Sequence, residues 1–399
     1  MTMPAADTHA SAAGPGGAPI DVVIAITTLV AEGTPVMALD LCRYWMGLGI
    51  RPAVMTLFAT PNDLAPELER LGVPILRVRI PSTGFGRYTA LVTETARIAR
   101  ATRPRALLSM FFGWHSFVAM GARMAGVPTF AAHVGSYPPY WQGRAFWKFR
   151  AEVQLGRPFT DDLVCCSEYV RQGVLRYFHL PERSVSLVYN GCDVDRFEEL
   201  ARRARAHRAP GPFRLGMVAR LEFSKDHSTL IRAVAIANRT RPMELWLIGD
   251  GSLRPRLEAE ARDLGITAQV RFLGSRRDVA ELLGQLDAFA FSVKEDEGLG
   301  IALIEAMAAN LPVVATDVGA CREVLGDALV EPLVPFGDAD AMAAALVRLA
   351  DRPPDHEVLK RASQRARDLF SSRAMALGYA RRLKLDPRPL TPPGDRPAP

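Results

Sequence analysis

Short apolar runs alternate with helical patterns along most of this chain, and that alternation limits the folds it can adopt. In the first half, the strand-like runs are 21–29, 51–58, 75–80, 105–112, 129–134 and 162–167. Stretches with helical spacing of apolar residues, such as 36–49, lie between them. Such alternation is typical of parallel strands joined by crossover helices. It predicts an α/β, doubly wound domain.

The alternation stops at a charged segment that ends in Ala-Pro-Gly-Pro, and then starts again. We interpret this segment, 196–212, as a linker between two domains. Five more strand-like runs follow, at 214–220, 243–251, 270–274, 288–293 and 312–316. They predict a second doubly wound domain, and the 399 residues of the chain are enough for two.

Domain boundaries follow from the same pattern. The predicted domains run over 20–195 and 213–368, and both ends of the chain, 1–19 and 386–399, have the composition of disordered tails. A last helical pattern within 369–385 follows the point at which the second sheet should be complete. We expect this helix to cross back to the first domain.

Composition argues against several classes of protein. All apolar runs are shorter than the ~20 residues that span a bilayer, and the N-terminus lacks the pattern of a signal peptide. The five cysteines include no C-x-x-C pair, which favours free thiols in a reducing compartment. We therefore expect a cytoplasmic protein. The net charge of +6 is mild and suits phosphates or an anionic membrane surface, but not nucleic acid.

Ligands of doubly wound domains bind at the carboxyl ends of the strands, so the turns there are candidate sites. Gly33 stands in the first such turn, where helix N–H groups suit a phosphate, although a plain structural turn also fits and G-x-G-x-x-G is absent. His133 stands at the end of the run 129–134, where an imidazole can donate and accept hydrogen bonds. His115 has a similar position one strand earlier, and a structural role is the alternative for both histidines.

Two turns of the second domain carry candidate residues. Arg220 and Lys225 stand where its first strand ends, and two cations there can clamp a diphosphate, unless they are only solvated charges. The next strand ends in Gly249-Asp250-Gly251, a tight turn whose glycines let a ligand approach the backbone. Asp250 fits either a ribose contact or a helix cap.

Two glutamates eight positions apart, Glu297 and Glu305, lie in the stretch "KEDEGLGIALIEAMA". Eight helical residues rise ~12 Å, which is comparable to the length of a nucleotide-sugar from ribose to hexose. The two carboxylates therefore suit hydroxyl groups at opposite ends of such a ligand. Backbone N–H groups from Gly300 onward would face its diphosphate.

Taken in their order along the chain, these features resemble those of the retaining glycosyltransferases of family GT4, over roughly residues 20–385. The pair Glu297/Glu305 and the block "NGCDVDRF" (190–197) are the most specific, and "VRFLG" followed by Asp278 supports them. The resemblance implies a GT-B fold: two facing Rossmann-like domains, with the acceptor in the first and the donor in the second. This sequence departs from the family pattern at the first loop, where Glu-Gly-Thr-Pro replaces the frequent Gly-Gly pair, and at Cys192, where valine is usual.

The resemblance also implies roles for residues. Arg220 and Lys225 would hold the diphosphate of the donor, Glu305 its ribose, and Glu297 the sugar hydroxyls near C3. His133 matches the histidine that lies close to the transferred sugar. Asp278 falls where some members contact the base, although it also suits a helix cap. Our candidate donor contacts beside these are Gly33, Gly249, Gly251, Gly298, Leu299, Gly300 and Ile301.

The family retains anomeric configuration, and this sequence offers no evident carboxylate nucleophile. We expect front-face substitution, in which the leaving phosphate oxygen takes the proton of the acceptor and catalysis rests on positioning and charge neutralisation. The donor is expected to be a UDP- or GDP-hexose, and we expect no metal or other cofactor. The strings "DVD" (193–195) and "DAD" (338–340) match D-x-D, but neither is interpreted as a metal site.

The acceptor is less visible than the donor. Residues 137–150 combine six aromatic and three basic residues, a mixture that suits an anionic membrane surface, with a core or interdomain cluster as the alternative. We expect a saccharide or lipid-linked acceptor of bacterial polysaccharide or glycolipid synthesis, with possible contact to the inner face of the cell membrane. A GT-B epimerase and a non-catalytic nucleotide-sugar-binding subunit are the alternative functions. The missing G-x-G-x-x-G disfavours a Rossmann oxidoreductase.

Overall fold

The structure is a computed structural model that describes residues 19–31, 33–81, 84, 86–139 and 143–386. Apart from Pro19 and Asp386, the predicted tails lie outside these ranges, and so do Glu32 of the first loop and the aromatic residues Tyr140 and Trp141 of the acceptor segment. The described strands form two sheets, one of seven strands and one of five, and every pairing within them is parallel.

The first sheet has the order β3-β2-β1-β4-β5-β6-β7. Its strands are β1 (Val22–Ile26), β2 (Pro52–Thr56), β3 (Ile75–Arg77), β4 (Ala106–Ser109), β5 (Thr129–Val134), β6 (Asp162–Cys165) and β7 (Val185–Leu187). The sequence predicted the first six. It missed β7, whose central residue, the polar Ser186, interrupts the apolar run. Helices follow the strands as α1 (Gly33–Gly47), α2 (Ala65–Arg70), α3 (Gly86–Thr102), α4 (His115–Met124), α5 (Gly143–Gly156) and α6 (Glu168–Phe178).

The predicted linker 196–212 joins the two sheets and contains most of a helix, α7 (Val194–Ala206), that the sequence did not indicate. Asp193 caps its first turn by accepting a hydrogen bond from the N–H of Arg196, which accounts for one of the two D-x-D strings. Ala201 on its inner face is fully buried, whereas Arg202 and Arg203 beside it are exposed. The dense charge of this segment therefore concealed an amphipathic helix.

The second sheet has the order β10-β9-β8-β11-β12 and contains all five predicted strands. They are β8 (Phe213–Val218), β9 (Met243–Ile248), β10 (Val270–Gly274), β11 (Ala288–Phe291) and β12 (Val313–Ala315). The helices of this half are α8 (His227–Ala237), α9 (Arg254–Asp263), α10 (Val279–Gly284), α11 (Ile301–Ala308), α12 (Gly319–Leu325), α13 (Ala339–Asp351) and α14 (His356–Phe370). Asp338, from the other D-x-D string, caps α13 through the N–H of Ala341.

The last helix, α15 (Ser372–Arg382), returns to the first domain and packs against α1, as the sequence predicted. The indole N–H of Trp45 donates to the carbonyl oxygen of Ala376 at 2.9 Å, and the hydroxyl of Ser372 donates to Asp40, also at 2.9 Å. Both contacts are buried. Helix α15 is therefore built into the core of the first domain.

Within the described part of the chain, we find no helix that is both long enough and apolar enough to cross a membrane.

Candidate active site

A cleft of about 490 Å³ lies between the two domains at the carboxyl ends of their strands. From the first domain, α1 contributes Gly33 and Asp40 to its wall. From the second, Arg220 follows β8, Gly249 follows β9, and Glu305 lies on α11. With Ile301, the first residue of α11, the fold thus places five of the predicted positions around one interdomain space.

The N-termini of two helices, one from each domain, line this cleft. Gly33 is the first residue of α1, and Ile301 is the first residue of α11. Gly300, in the capping position of α11, has a φ of +86°, and a methyl group there would come within 2.7 Å of the Phe291 ring. The unpaired N–H groups and positive dipole ends of two helices make this space suitable for an anion such as a diphosphate.

Glu305 is half-buried at the cleft wall, in an environment that disfavours its charge. Burial and the nearby carboxylate of Asp40 raise the pKa of Glu305 to about 7. Burial also raises the pKa of Asp40, whose two oxygens accept hydrogen bonds from Ser372 and Arg43. Hydroxyl groups of a ligand could therefore supply the hydrogen bonds to the Glu305 carboxylate that water would supply to an exposed one.

Glu297 lies in the turn before α11 and forms an ion pair with Lys225, 72 positions away. Its second oxygen accepts a hydrogen bond from the N–H of Gly298 at 3.2 Å. Because α11 begins only at Ile301, the interval between Glu297 and Glu305 is half turn and half helix. The expectation that a helical rise of eight residues separates the two acids is therefore wrong. The N–H of Gly298, one of the predicted backbone donors, is also engaged within the turn.

The turn that carries Glu297 packs tightly against the first domain. A methyl group on Gly298 would collide with the carbonyl oxygen of Gly135, the residue after β5. The hydroxyl of Ser167 donates to the carbonyl oxygen of Gly298 at 2.6 Å, and the hydroxyl of Tyr169 donates to that of Glu295 at 2.8 Å. At this end of the interdomain space, which we call the sugar end, backbone atoms of the two domains are in direct contact.

Leu299, another predicted donor contact, is buried beneath the same turn.

A carboxylate adds a further bridge at the sugar end. The two oxygens of Glu323 on α12 accept hydrogen bonds from the first N–H groups of α6, those of Glu168 at 2.6 Å and Tyr169 at 2.8 Å. An acid at a helix N-terminus is favourable because it satisfies unpaired donors and complements the helix dipole. Here the acid and the helix belong to different domains, so the bond holds the domains together.

His133 is buried at the end of β5, with 3% of its surface exposed. Burial lowers its pKa to about 4, so the imidazole is neutral near pH 7. Its Nδ1 lies 2.7 Å from the hydroxyl of Tyr379 on α15. His115 is also buried, with the N–H of Gly113 donating to its Nδ1 and Phe112 stacked on its ring, and a structural role accounts for it.

The glycines of the Gly-Asp-Gly turn permit close packing of two strand ends. A methyl group on Gly249 would collide with the carbonyl oxygen of Ala219, and one on Gly251 would come within 2.5 Å of that of Leu221. Gly249 also lines the cleft. Asp250 pairs with Arg254 at 3.0 Å and accepts a hydrogen bond from the N–H of Gly251. These glycines therefore bring the Arg220 turn and the cleft wall together.

Asp278 does not line the cleft, in contrast to three residues just before it, Ser275, Arg276 and Arg277. Arg276 holds the Asp278 carboxylate through two hydrogen bonds of 2.7 and 2.5 Å, and this lowers the pKa of Asp278. Asp278 occupies the capping position of α10, but its side chain makes no capping bond.

Sequence reasoning missed three contributors to the cleft and its surroundings: Asp40, Arg277 and Tyr379. Arg277 forms an ion pair of 3.3 Å with Glu67 of the first domain and so bridges the cleft. Asp40 was detectable in principle, because it is the one charged residue in the otherwise apolar run "MALDLC" of α1. Tyr379 had no such indication.

The described residues contain no group of three or more His, Cys, Asp and Glu side chains that could hold a metal ion.

Known proteins are similar to this chain. A model of the group 1 glycosyl transferases matches residues 212–352, and one of glycosyltransferase family 4 matches residues 31–196. The glycosyltransferase EpsF of Bacillus subtilis (strain 168) is 30% identical over 345 residues, which cover 82% of this chain and 87% of EpsF. The chain belongs to the family 4 glycosyltransferases. This family 4 enzyme is also 30% identical, over 229 residues, to the lipopolysaccharide core biosynthesis glycosyltransferase LpsE of Rhizobium meliloti (strain 1021), covering 57% of this chain and 65% of LpsE.

Solved structures place the family 4 enzyme in the GT-B fold, as the sequence predicted. The structure of HepE from Anabaena in complex with UDP and glucose superposes with a TM-score of 0.78 at 18% identity. The match covers 92% of this chain and 99% of HepE. A glycosyltransferase from Rickettsia africae gives a TM-score of 0.76 at 17% identity, with 92% and 98% coverage.

Proposed function

We propose that this glycosyltransferase transfers a hexose, with retention of anomeric configuration, from a UDP- or GDP-sugar to a saccharide or lipid-linked acceptor of a bacterial polysaccharide or glycolipid. The observation that carries the proposal is the interdomain cleft in which two helix N-termini, Arg220 and Glu305 meet. The binding of UDP by HepE and the biosynthetic pathway in the name of LpsE support the choice of substrates.

The donor lies along the interdomain space, with its nucleotide in the cleft lined by Gly33, Arg220 and Glu305, which we call the nucleotide end. Glu305 accepts hydrogen bonds from the ribose hydroxyls, and these bonds favour its charged form although burial disfavours it. The diphosphate lies between the first turns of α1 and α11, beside Arg220. The hexose then reaches the sugar end, where Glu297, Lys225 and His133 stand.

The reaction is a substitution on one face of the sugar. The bond from C1 to the leaving phosphate oxygen breaks, the acceptor oxygen forms its bond to C1 on the same face, and the acceptor proton passes to the leaving phosphate oxygen. Lys225 exchanges its partner Glu297 for the leaving diphosphate and stabilises the negative charge that develops there. Glu297, released from Lys225, accepts hydrogen bonds from the sugar hydroxyls and fixes the position of C1.

The proposed chemistry uses cations of the protein and no divalent metal. Turnover measured after extensive dialysis against EDTA should therefore equal that of the untreated enzyme. A complete loss of turnover that Mg²⁺ or Mn²⁺ restores would contradict this part of the proposal.

The proposed function is tested by incubating the purified protein with labelled UDP- and GDP-hexoses, with and without saccharide and lipid-linked acceptors. We expect release of nucleoside diphosphate that depends on the acceptor, and a product whose anomeric proton shows the configuration of the donor by NMR. An isomerised nucleotide-sugar formed without acceptor would indicate an epimerase. Binding of the donor without any turnover would indicate a non-catalytic subunit.

The first domain also presents a surface that suits an anionic membrane. On α5, Trp147 and Leu155 are 62% and 53% exposed, and Arg144 and Lys148 are exposed beside them. The opposite side of α5 is buried through Phe149. The segment 137–150 is therefore divided: part of it packs inward, and the outer side of α5 combines the apolar and basic residues of an interfacial helix. We propose that the enzyme works at the cytoplasmic face of the membrane through this side of α5.

Sedimentation with vesicles tests this surface. The wild-type protein should bind vesicles that contain phosphatidylglycerol, and the double variant Trp147→Ser/Leu155→Ser should lose most of this binding. Leu264→Ser, an exposed leucine on the other domain, is the control and should bind like wild type. Equal binding by all three proteins would remove α5 as the docking surface.

A further inference from the structure

The C-terminal helix brings a buried tyrosine to the histidine of the sugar end. The hydroxyl of Tyr379 lies 2.7 Å from Nδ1 of His133, although 246 positions separate the two residues. Tyr379 is fully buried and His133 almost so. No step of the proposed reaction uses this contact.

The protonation of the pair follows from its surroundings. Burial lowers the pKa of His133 to about 4 and raises that of Tyr379 well above its usual value, so both groups are neutral near pH 7. Either the phenol donates to Nδ1 or Nδ1–H donates to the phenol oxygen. Among the described residues, His133 is the only hydrogen-bond partner of the Tyr379 hydroxyl, so the second arrangement would leave a buried phenolic proton without an acceptor. Tyr379 therefore donates, and Nε2 of His133 carries the imidazole proton.

The Nε2 edge of the imidazole points toward the sugar end. A methyl group on Gly135 would come within 2.8 Å of Nε2, so only glycine leaves this edge open. The carbonyl oxygen of the same Gly135 packs against Gly298 in the turn that carries Glu297. The proton on Nε2 is thus directed at the place where the proposed function puts the hexose.

We propose that Tyr379 is a positioning residue, which fixes His133 as the Nε2–H tautomer and aims that N–H at the transferred sugar. The role of the aimed N–H rests on the proposed function, whereas the hydrogen bond and the tautomer do not. Contacts remote from the Tyr379 hydroxyl seat α15, among them Trp45 to Ala376 and Ser372 to Asp40. Removal of this one hydroxyl therefore leaves the helix in place.

The tautomer is tested on the whole protein labelled with ¹⁵N-histidine, with the His133 signals assigned through His133→Gln. In the wild type we expect an unprotonated Nδ1 and a protonated Nε2 at pH 7. In Tyr379→Phe, the neutral imidazole loses the bond that stabilises it, so its pKa should rise and its single-tautomer signature should be lost. A protonated Nδ1 in the wild type, or unchanged His133 signals in Tyr379→Phe, would overturn the proposal.

Kinetics separate positioning from a merely structural role. In Tyr379→Phe we expect kcat to fall about 10- to 100-fold with the KM for the donor within about threefold, because misalignment near the reacting centre affects the transition state most. Trp45→Phe removes a different hydrogen bond to the same helix and is the matched control. It should lower Tm but leave the His133 signals and kcat unchanged.

The outcomes distinguish this inference from the proposed function. If the wild type transfers no hexose but its His133 shows the expected tautomer and the expected response to Tyr379→Phe, the proposed function fails and the contact stands. If the enzyme is active and Tyr379→Phe keeps kcat within twofold, the positioning role fails and the proposed function stands.

Discussion

The two ends of the interdomain space differ in how the domains meet. At the nucleotide end, side chains of both domains line a cleft of about 490 Å³, and an ion pair between the exposed Arg277 and the half-buried Glu67 bridges it. At the sugar end, the backbone of Gly298 lies directly on that of Gly135, and Ser167 bonds to the same peptide. One end can admit a ligand as it stands. At the other, the proposed function requires the domains to separate before the hexose enters.

This difference implies that binding and catalysis depend on groups at opposite ends of the interdomain space. Groups at the nucleotide end are accessible without domain movement, so their loss should weaken the binding of nucleotide alone. Groups at the sugar end are paired with each other, as Glu297 is with Lys225, and become available only when the donor displaces those contacts. Their loss should act mainly on turnover.

The largest effect is expected from Lys225→Met. This change removes the cation that the leaving diphosphate needs, so kcat should fall on the order of 10²–10³-fold. Lys294→Met is the control, because Lys294 packs over the exposed ring of Phe223 near the same turn and takes no part in the ion pair. Steady-state kinetics with saturating donor measure both variants, and a loss of less than fivefold in Lys225→Met would contradict its assignment.

A smaller effect is expected from Gly298→Ala. The added methyl group has no room against the Gly135 carbonyl, so the sugar end should be held apart and kcat should fall about tenfold. The affinity for nucleoside diphosphate should stay within twofold, since the cleft at the other end is unchanged. Gly47→Ala, at a position where a methyl group meets no atom within 4 Å, should leave both quantities unaltered. Weaker nucleotide binding in Gly298→Ala would show that the two ends are not separate.

The smallest effect concerns the pH dependence of stability. The pKa of Glu305 is raised from 4.5 to about 7, so between these values the native state binds more protons than the unfolded chain. The stability that protonated Glu305 contributes is therefore lost as the pH rises through 7. Glu305→Gln lacks this loss, and its Tm relative to wild type should rise from pH 5 to pH 8. Because Glu305 is half-buried and partly screened, we expect about 2 °C by scanning calorimetry. A difference that stays constant or falls would contradict the raised pKa.

The architecture was largely accessible from the sequence, because it depends on local patterns. Every strand of the second sheet showed as an apolar run, and the late position of the "SRAMALGYARRLK" pattern indicated that α15 returns to the first domain. The pattern failed where a polar residue interrupted a short strand, as at β7, and where charge concealed a buried face, as at α7.

The site was accessible only in part. Strand ends gave the positions of Arg220 and His133, because parallel strands place those ends along one edge. The side-chain partners of the site residues could not be predicted from the sequence. Lys225 and Glu297 are 72 positions apart and His133 and Tyr379 are 246 apart, so their contacts depend on how the domains and α15 pack. The sequence suggested that a continuous helical rise separates Glu297 from Glu305. In the structure, the turn at Gly298 lies between the two acids and places them in different environments.

The central claim is that Glu305 serves the nucleotide and Glu297 the sugar. Titration calorimetry with free UDP and GDP, which carry no hexose, tests it most directly on Glu305→Ala and Glu297→Ala. We predict that Glu305→Ala weakens binding of the preferred nucleotide about tenfold, in the range of one lost charge-assisted hydrogen bond, whereas Glu297→Ala binds within twofold of wild type. Equal weakening in both variants, or weakening in Glu297→Ala alone, would contradict the account.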